Sequence, residues 1–224
     1  MNQSDLIIRV LDALEEVYHN EACPPELGHP EPLDGLILTV LSQNTNDKNR
    51  DNAFINLKAN FPEWKDVVNA GSESLESVIR TAGLSRTKAR RIITILDFIH
   101  DTFKKYSIKA LAQFEPEVIR AYLRSLPGVG PKTVACTLLF DFKIPAFPVD
   151  THITRISRRV GIVPEKTSPE EISRIFEGAV PESRCLGGHV NMIAHGRAVC
   201  HSQKPECESC VLYEICENRR DGKD

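Results

Sequence analysis

The chain has 224 residues, 41% of them apolar and 26% charged, which is enough apolar mass for one large buried core or two small ones. Its 28 Lys and Arg against 31 Asp and Glu leave a net charge of −3. That excludes a protein coating nucleic acid with a uniformly basic surface and confines any such contact to a local patch.

Helical periodicity dominates and strand-like alternation is almost absent, so an all-α protein is expected. The opening MNQSDLIIRVLDALEEVYHN reads as an amphipathic helix, without the basic start, long apolar stretch and cleavage site of a signal peptide. No apolar run reaches the roughly 20 residues needed to span a bilayer. An intracellular protein is expected, in the cytoplasm or nucleoid of a prokaryote, with no membrane partner. Residues 33–43 are nearly all apolar and predict a buried helix. Thr45, Asn46 and Asp47 offer N-caps for the next helix, to about residue 60. A short helix over 74–82 stops at Gly83. A long one over 86–105 is apolar at Ile92, Ile93, Leu96 and Ile99 and carries Arg86, Lys88, Arg90 and Arg91 on its outer face. Residues 115–125 are helical, and Pro131 suits the first turn of a helix over 132–141. The proline-broken stretch 142–148 predicts a domain boundary. Helices over 151–160, 169–176 and 184–199 follow, then a cysteine-rich end.

Three features carry chemistry. The first is Leu126-Pro-Gly-Val-Gly-Pro-Lys132. Gly128 and Gly130 around Val129 allow a sharp turn and close backbone approach to a partner. The turn and the helix start beyond it present N–H groups that bind phosphate without side-chain charge. A lone Gly-X-Gly is as often a plain connector. The flanking Leu-Pro and Pro-Lys-Thr make this the helix-hairpin-helix pattern of non-sequence-specific DNA binders, whose carbonyls are a candidate seat for a monovalent cation. Lys132 in the first turn faces the positive end of the helix dipole, a penalty of about 0.3–1 kcal/mol. That is a poor place for a structural lysine and a useful one for an amine needed neutral in Schiff-base chemistry. A point charge on a DNA phosphate is the equal alternative on position alone.

The second feature is Asp150 in Pro-Val-Asp-Thr-His-Ile, where a helix begins. An N-cap is the plain reading, and a fixed carboxylate there also suits stabilising a sugar oxocarbenium ion or taking a proton. The third is Cys200, Cys207, Cys210 and Cys216, spaced C-x6-C-x2-C-x5-C. Four thiolates in one loop suit a four-thiolate zinc site or a [4Fe–4S] cluster. Zinc usually uses two C-x2-C knuckles and one is present, so the spacing favours the cubane. Cys136, Cys23 and Cys185 read as structural.

Together these residues resemble the endonuclease III family of helix-hairpin-helix-GPD DNA glycosylases. The resemblance rests on Leu-Pro-Gly-Val-Gly-Pro-Lys-Thr-Val (126–134), Val-Asp-Thr-His-Ile (149–153) and the cysteine spacing. Leu-Ser-Gln-Asn-Thr-Asn-Asp (41–47) and Ala-Gly-Leu-Ser-Arg-Thr-Lys-Ala (82–89) add to it. It implies two α domains with a DNA cleft between them: a six-helix barrel over 26–144, and a discontinuous iron–sulfur domain of 1–25 and 145–224. It makes Lys132 and Asp150 catalytic and the four cysteines [4Fe–4S] ligands. Leu84 matches the wedge leucine, and His152 a position near the flipped nucleotide's backbone. Asn44 departs from the family's usual glutamine, with Gln43 beside it. The loop between Cys200 and Cys207 has only Lys204 plainly basic, so Arg155, Arg158, Arg159 and the 86–91 group are alternative sources of charge, about half of them plain solvated faces.

The function implied is a monomeric base-excision glycosylase and abasic-site lyase acting on double-stranded DNA with oxidised pyrimidines. Three rivals stand beside it, of which an electron-transfer iron–sulfur protein explains the cysteines and nothing else. A monofunctional mismatch glycosylase would generally lack a lysine at 132, and its adenine-removing relatives carry a further domain after the cluster, where this chain has eight residues. A non-catalytic DNA-binding module would not need Lys132 and Asp150 together.

Overall fold

The computed structural model describes residues 2–18 and 28–220. Cys23 and the boundary expected at residues 25–26 fall outside them. All regular structure among the described residues is helical. In chain order the helices are α1 (Gln3–Tyr18), α2 (Pro32–Ser42), α3 (Asp47–Asn60), α4 (Trp64–Val78), α5 (Ser85–Phe103), α6 (Pro116–Ser125), α7 (Pro131–Cys136), α8 (Thr151–Val160), α9 (Pro169–Ala179), α10 (Cys185–Ala198) and α11 (Glu217–Arg220). The chain divides into two compact units. One is Gly28–Phe142; the other joins α1 to everything from Lys143 onward.

In the Gly28–Phe142 unit, α2 is the central helix. Leu33, Leu36, Ile37, Val40 and Leu41 are all fully buried, as a helix apolar on every side requires. Each such side chain contributes roughly 1.5–3 kcal/mol by leaving water. α3, α5 and α7 pack around it. Glu31 caps its start by accepting from the Leu33 amide at 3.3 Å and holds the distant Ser107 hydroxyl at 2.7 Å. Asn46 caps α3, its Oδ1 accepting from the Asn49 amide at 2.9 Å.

The helix expected at 74–82 is the second half of a longer one. α4 starts at Trp64 and bends at Gly71 (φ 76°), and residues 80–82 form a separate 3-10 turn. What begins it early is tertiary. Trp64 is buried, donates its Nε1–H to Asp34 Oδ1 at 2.8 Å and lies under the Lys58 ammonium at 4.6 Å. The helix expected over 132–141 is α-helical only to Cys136 and continues as a π-helix over Thr137–Phe142. The outer face expected of α5 is also corrected. Lys88 is 2% exposed, inside the unit.

In the other unit, α1 buries Ile7, Val10, Leu11 and Leu14 and packs against α10 and α9. Arg184 ties α1 down through Asp12 at 2.7 Å and Glu15 at 2.8 Å. The connector after Phe142 is irregular, as expected, yet firmly seated. Phe147 is fully buried with its ring 4.6 Å from Phe176, and its backbone is held by Glu177 and Ser173.

Candidate functional site

The hairpin is built by α6 ending and α7 beginning. Gly128 lies in the left-handed region (φ 73°), which a residue without Cβ adopts freely. The Val129 amide closes the turn on the Leu126 carbonyl at 3.1 Å, and its side chain is 5% exposed. Val129 therefore anchors the turn from inside. Gly130 is the N-cap of α7, with Pro131 in the first turn, so the amides of Lys132 and Thr133 have no acceptor within the helix. Lys132 is exposed, and among the described residues no ion pair or hydrogen bond ties its ammonium.

Two further loops of this unit present residues singled out by the sequence. Gln43 ends α2, and Asn44 after it has φ 53°. Asparagine tolerates this region better than most residues because its short amide bonds locally, a physical reason for the departure from glutamine. Leu84 precedes α5 with φ 49° and is 61% exposed.

In the other unit Asp150 is the N-cap of α8, its Oδ1 accepting from the Ile153 amide at 2.9 Å. One turn on, Arg155 donates to His152 Nδ1 at 3.0 Å. That nitrogen is therefore the acceptor, and the ring proton sits on Nε2. The ring lies hard against α10, since a Cβ at Gly196 would meet His152 Nδ1 at 2.8 Å. Arg155 also binds the Gly196 and Cys200 carbonyls, both at 2.9 Å. Arg159 binds the carbonyls of His201 (2.6 Å) and Ser202 (3.1 Å) and the Cys200 sulfur (3.4 Å). Arg158 donates to the Thr167 carbonyl at 3.0 Å. The sequence suggested these arginines as free surface charge; they are fasteners from α8 to neighbouring chain. Sequence spacing carries no sign of this, because the acceptors are backbone carbonyls.

Cys200, Cys207, Cys210 and Cys216 are all half-buried thiols, none in a disulfide. Burial, with smaller contributions from the Cys200, Cys216 and Cys207 sulfurs, pushes the Cys210 thiol up to about 11, against a lowering bond from the Leu212 amide. His195, whose burial lowers it to about 4, lies 3.5 Å from Cys210 Sγ and was not foreseen. Among the described residues no group of three His, Cys, Asp or Glu side chains is placed to hold a metal ion. Lys204, exposed with φ 48°, sits in the loop between Cys200 and Cys207. No helix of the described residues is long and apolar enough to cross a membrane.

A family model described as "HhH-GPD superfamily base excision DNA repair protein" matches residues 37–182. The chain is similar to endonuclease III of Thermotoga maritima, 38% identical over 196 residues that cover 86% of each protein. A relative from Arabidopsis thaliana is 36% identical over 172 residues, and the chain spans 59% of its length. Among solved structures, a trapped endonuclease III–DNA covalent intermediate matches with a TM-score of 0.85 and 30% identity, covering 100% of both chains.

Proposed function

This chain belongs to the HhH-GPD superfamily of base excision DNA repair proteins and is a DNA glycosylase, and from that premise we propose that it is bifunctional, excising oxidised pyrimidines from duplex DNA and then cutting the abasic strand through Lys132. The observation that carries this is the situation of Lys132. It stands exposed in the first turn of α7, directly after the hairpin, with its amine engaged by no described residue. Lys58 and Lys88 of the same unit are held, by Asp34 and Trp64 and by two carbonyls. Lys48, Lys65, Lys104, Lys105 and Lys109 are exposed too, and the place directly after the hairpin is what sets Lys132 apart. The likeness to a covalent enzyme–DNA intermediate supports a lysine that bonds its substrate.

In this reading the damaged nucleotide is rotated out of the stack, at a cost of a few kcal/mol. Leu84, Asn44 and Gln43 fill the space left behind. Amides of the Gly128–Gly130 hairpin, Lys204 and the Nε2–H of His152 hold phosphates. A bond forms from Lys132 Nζ to C1′ as the C1′–N glycosidic bond breaks; the base leaves with the electron pair and is protonated. Asp150 stabilises positive charge on the sugar and takes the proton from the attacking amine. Ring opening gives a C1′ iminium, which acidifies the C2′ protons. Loss of one expels the 3′ phosphate by breaking C3′–O3′, and water hydrolyses the iminium to regenerate the lysine.

The four cysteines fit a [4Fe–4S] cluster by their chemistry: four thiols in one short stretch, none in a disulfide, with an Arg159 N–H on the Cys200 sulfur. Bound there, the group would supply a rigid four-thiolate cross-link of the C-terminal loop. A monomer is proposed, with the Gly28–Phe142 unit as the six-helix barrel domain.

The test is borohydride trapping. Wild type incubated with thymine-glycol or abasic duplex should form a covalent adduct, and Lys132→Gln should form none while still binding the duplex. Base release by the wild type without an adduct would leave a monofunctional glycosylase.

A further inference from the structure

Lys88 is the most deeply buried lysine whose role the chemistry above leaves unexplained. It is 2% exposed, and its ammonium donates to the Leu41 carbonyl and the Ala82 carbonyl, both at 2.7 Å. Those two acceptors end different elements, the last turn of α2 and the 3-10 turn of residues 80–82, each just ahead of a loop. Leu41 lies three residues before Asn44; Ala82 lies two before Leu84. Asn44 and Leu84 are both non-glycine residues in the left-handed region, with φ 53° and φ 49°. Such backbone is held only where its surroundings over-determine it. The cation also suits its place. The Leu41 carbonyl is one of the orphan acceptors at the C-terminal, negative end of α2, and the Ala82 carbonyl is the last of the 3-10 turn of residues 80–82.

One helical turn along α5, Arg91 repeats the arrangement. It donates to Gln43 Oε1, and its side chain lies so close to Gly128 that a Cβ there would come within 2.3 Å of Arg91 Nε. Arg91 thus joins the Gln43 loop to the hairpin. Burial, then the Arg91 charge beside it, lowers the Lys88 ammonium below its ordinary range. A neutral amine still has the two N–H donors these carbonyls need.

We propose that Lys88 is a positioning residue that locks the Asn44 and Leu84 loops in register for insertion into a duplex, with Arg91 extending the lock to the hairpin. The inference rests on the flipping role proposed above for those two loops. Pre-organisation is what the lock provides. Two loops that must enter a base stack together both leave from carbonyls held by one amine, so their ordering is completed on folding and not on binding. Removing the amine frees both loops at once, while phosphate binding at the hairpin is retained through Gly128 and Gly130.

The experiment compares wild type, Lys88→Met, Lys88→Gln, Leu84→Ala and the Lys88→Met Leu84→Ala double variant, at a temperature well below every melting transition. Single-turnover base release is read from a lesion duplex. Unstacking is read separately from 2-aminopurine fluorescence beside an abasic analogue. Lys88→Met should lose about 100-fold in base release, the scale set by misplacement of about 1 Å, and lose the fluorescence rise, while affinity for undamaged duplex stays near wild type. Lys88→Gln, which keeps two N–H donors, should fall between. Leu84→Ala should cost little more in the Lys88→Met background, because residues acting through one element are not additive. Wild-type behaviour in Lys88→Met, or losses that add in full, would overturn the proposal. So would failure of both Lys88 variants to fold, since Lys88 would then be a requirement of the core. If the wild type releases no base, the flipping chemistry fails, and the fluorescence series still tests Lys88.

Discussion

Lys88 and Lys132 are the same side chain put to opposite uses by their surroundings. Lys88 is enclosed and saturated by two carbonyls; Lys132 is exposed and unengaged by described residues. Helical spacing already separates Lys88 from Arg86 and Arg90. It stands four residues before Ile92 and seven before Ile95, on the buried stripe of α5, whereas the other two fall on the opposite side. Grouping all of them on an outer face follows their charge and not their period. A third titratable group carries a prediction of its own. Cys185, 2% exposed, is pushed from 9.0 up to about 11 by burial, with Glu177 and Glu182 adding to it. The folded state thus keeps a proton that the unfolded chain loses first. The contribution to stability is complete well below pH 9, where the unfolded thiol stays protonated, and fades as pH rises from 9.0 through about 11. At about 1.36 kcal/mol per unit it is worth on the order of 3 kcal/mol. Urea unfolding of Cys185→Ala should therefore show a shallower fall in stability between pH 9 and 11 than wild type. Parallel pH profiles would dismiss the assignment.

Among the elements, α8 shows how one residue combines a structural and a chemical task. Asp150 caps the helix through the Ile153 amide. Asparagine caps equally well and alanine does not, at a cost of about 1 kcal/mol. Asp150→Asn should keep the thermal stability of wild type, whereas Asp150→Ala should melt lower. Both should lose base release by about 100-fold or more if the carboxylate does proton or charge work. An Asp150→Asn protein that retains activity would reduce Asp150 to a cap. Element boundaries were legible where caps are local: Asn46 for α3 and Asp150 for α8. They were not legible for α4, whose first half depends on Trp64 reaching Asp34, thirty positions back. The π-helical continuation of α7 likewise has no signature in spacing.

For the molecule as a whole, the fasteners from α8 to the cysteine loop predict how loss of the proposed cluster spreads. Arg155 and Arg159 hold the carbonyls of Cys200, His201 and Ser202. If the thiols are unclamped, that loop loosens and the acceptors of α8 loosen with it. Removing iron by oxidation and chelation should therefore raise amide exchange in the 200–216 loop and in α8, and leave α2 and α5 protected. Unchanged exchange in α8 would show that the arginines do not transmit the loop's order.

Read alone, the sequence determined the helical class, the hairpin, the two candidate catalytic residues and the four thiols, because each depends on residues close together in the chain: periodicity, turn glycines, caps and spacing. The tertiary structure alone decided which cations are free. Lys88, Arg91, Arg155 and Arg159 end on carbonyls, an amide and a glycine surface supplied by distant segments. Backbone acceptors are carried by every residue, so no pattern of side chains announces them; only the folded path of the chain brings them within reach.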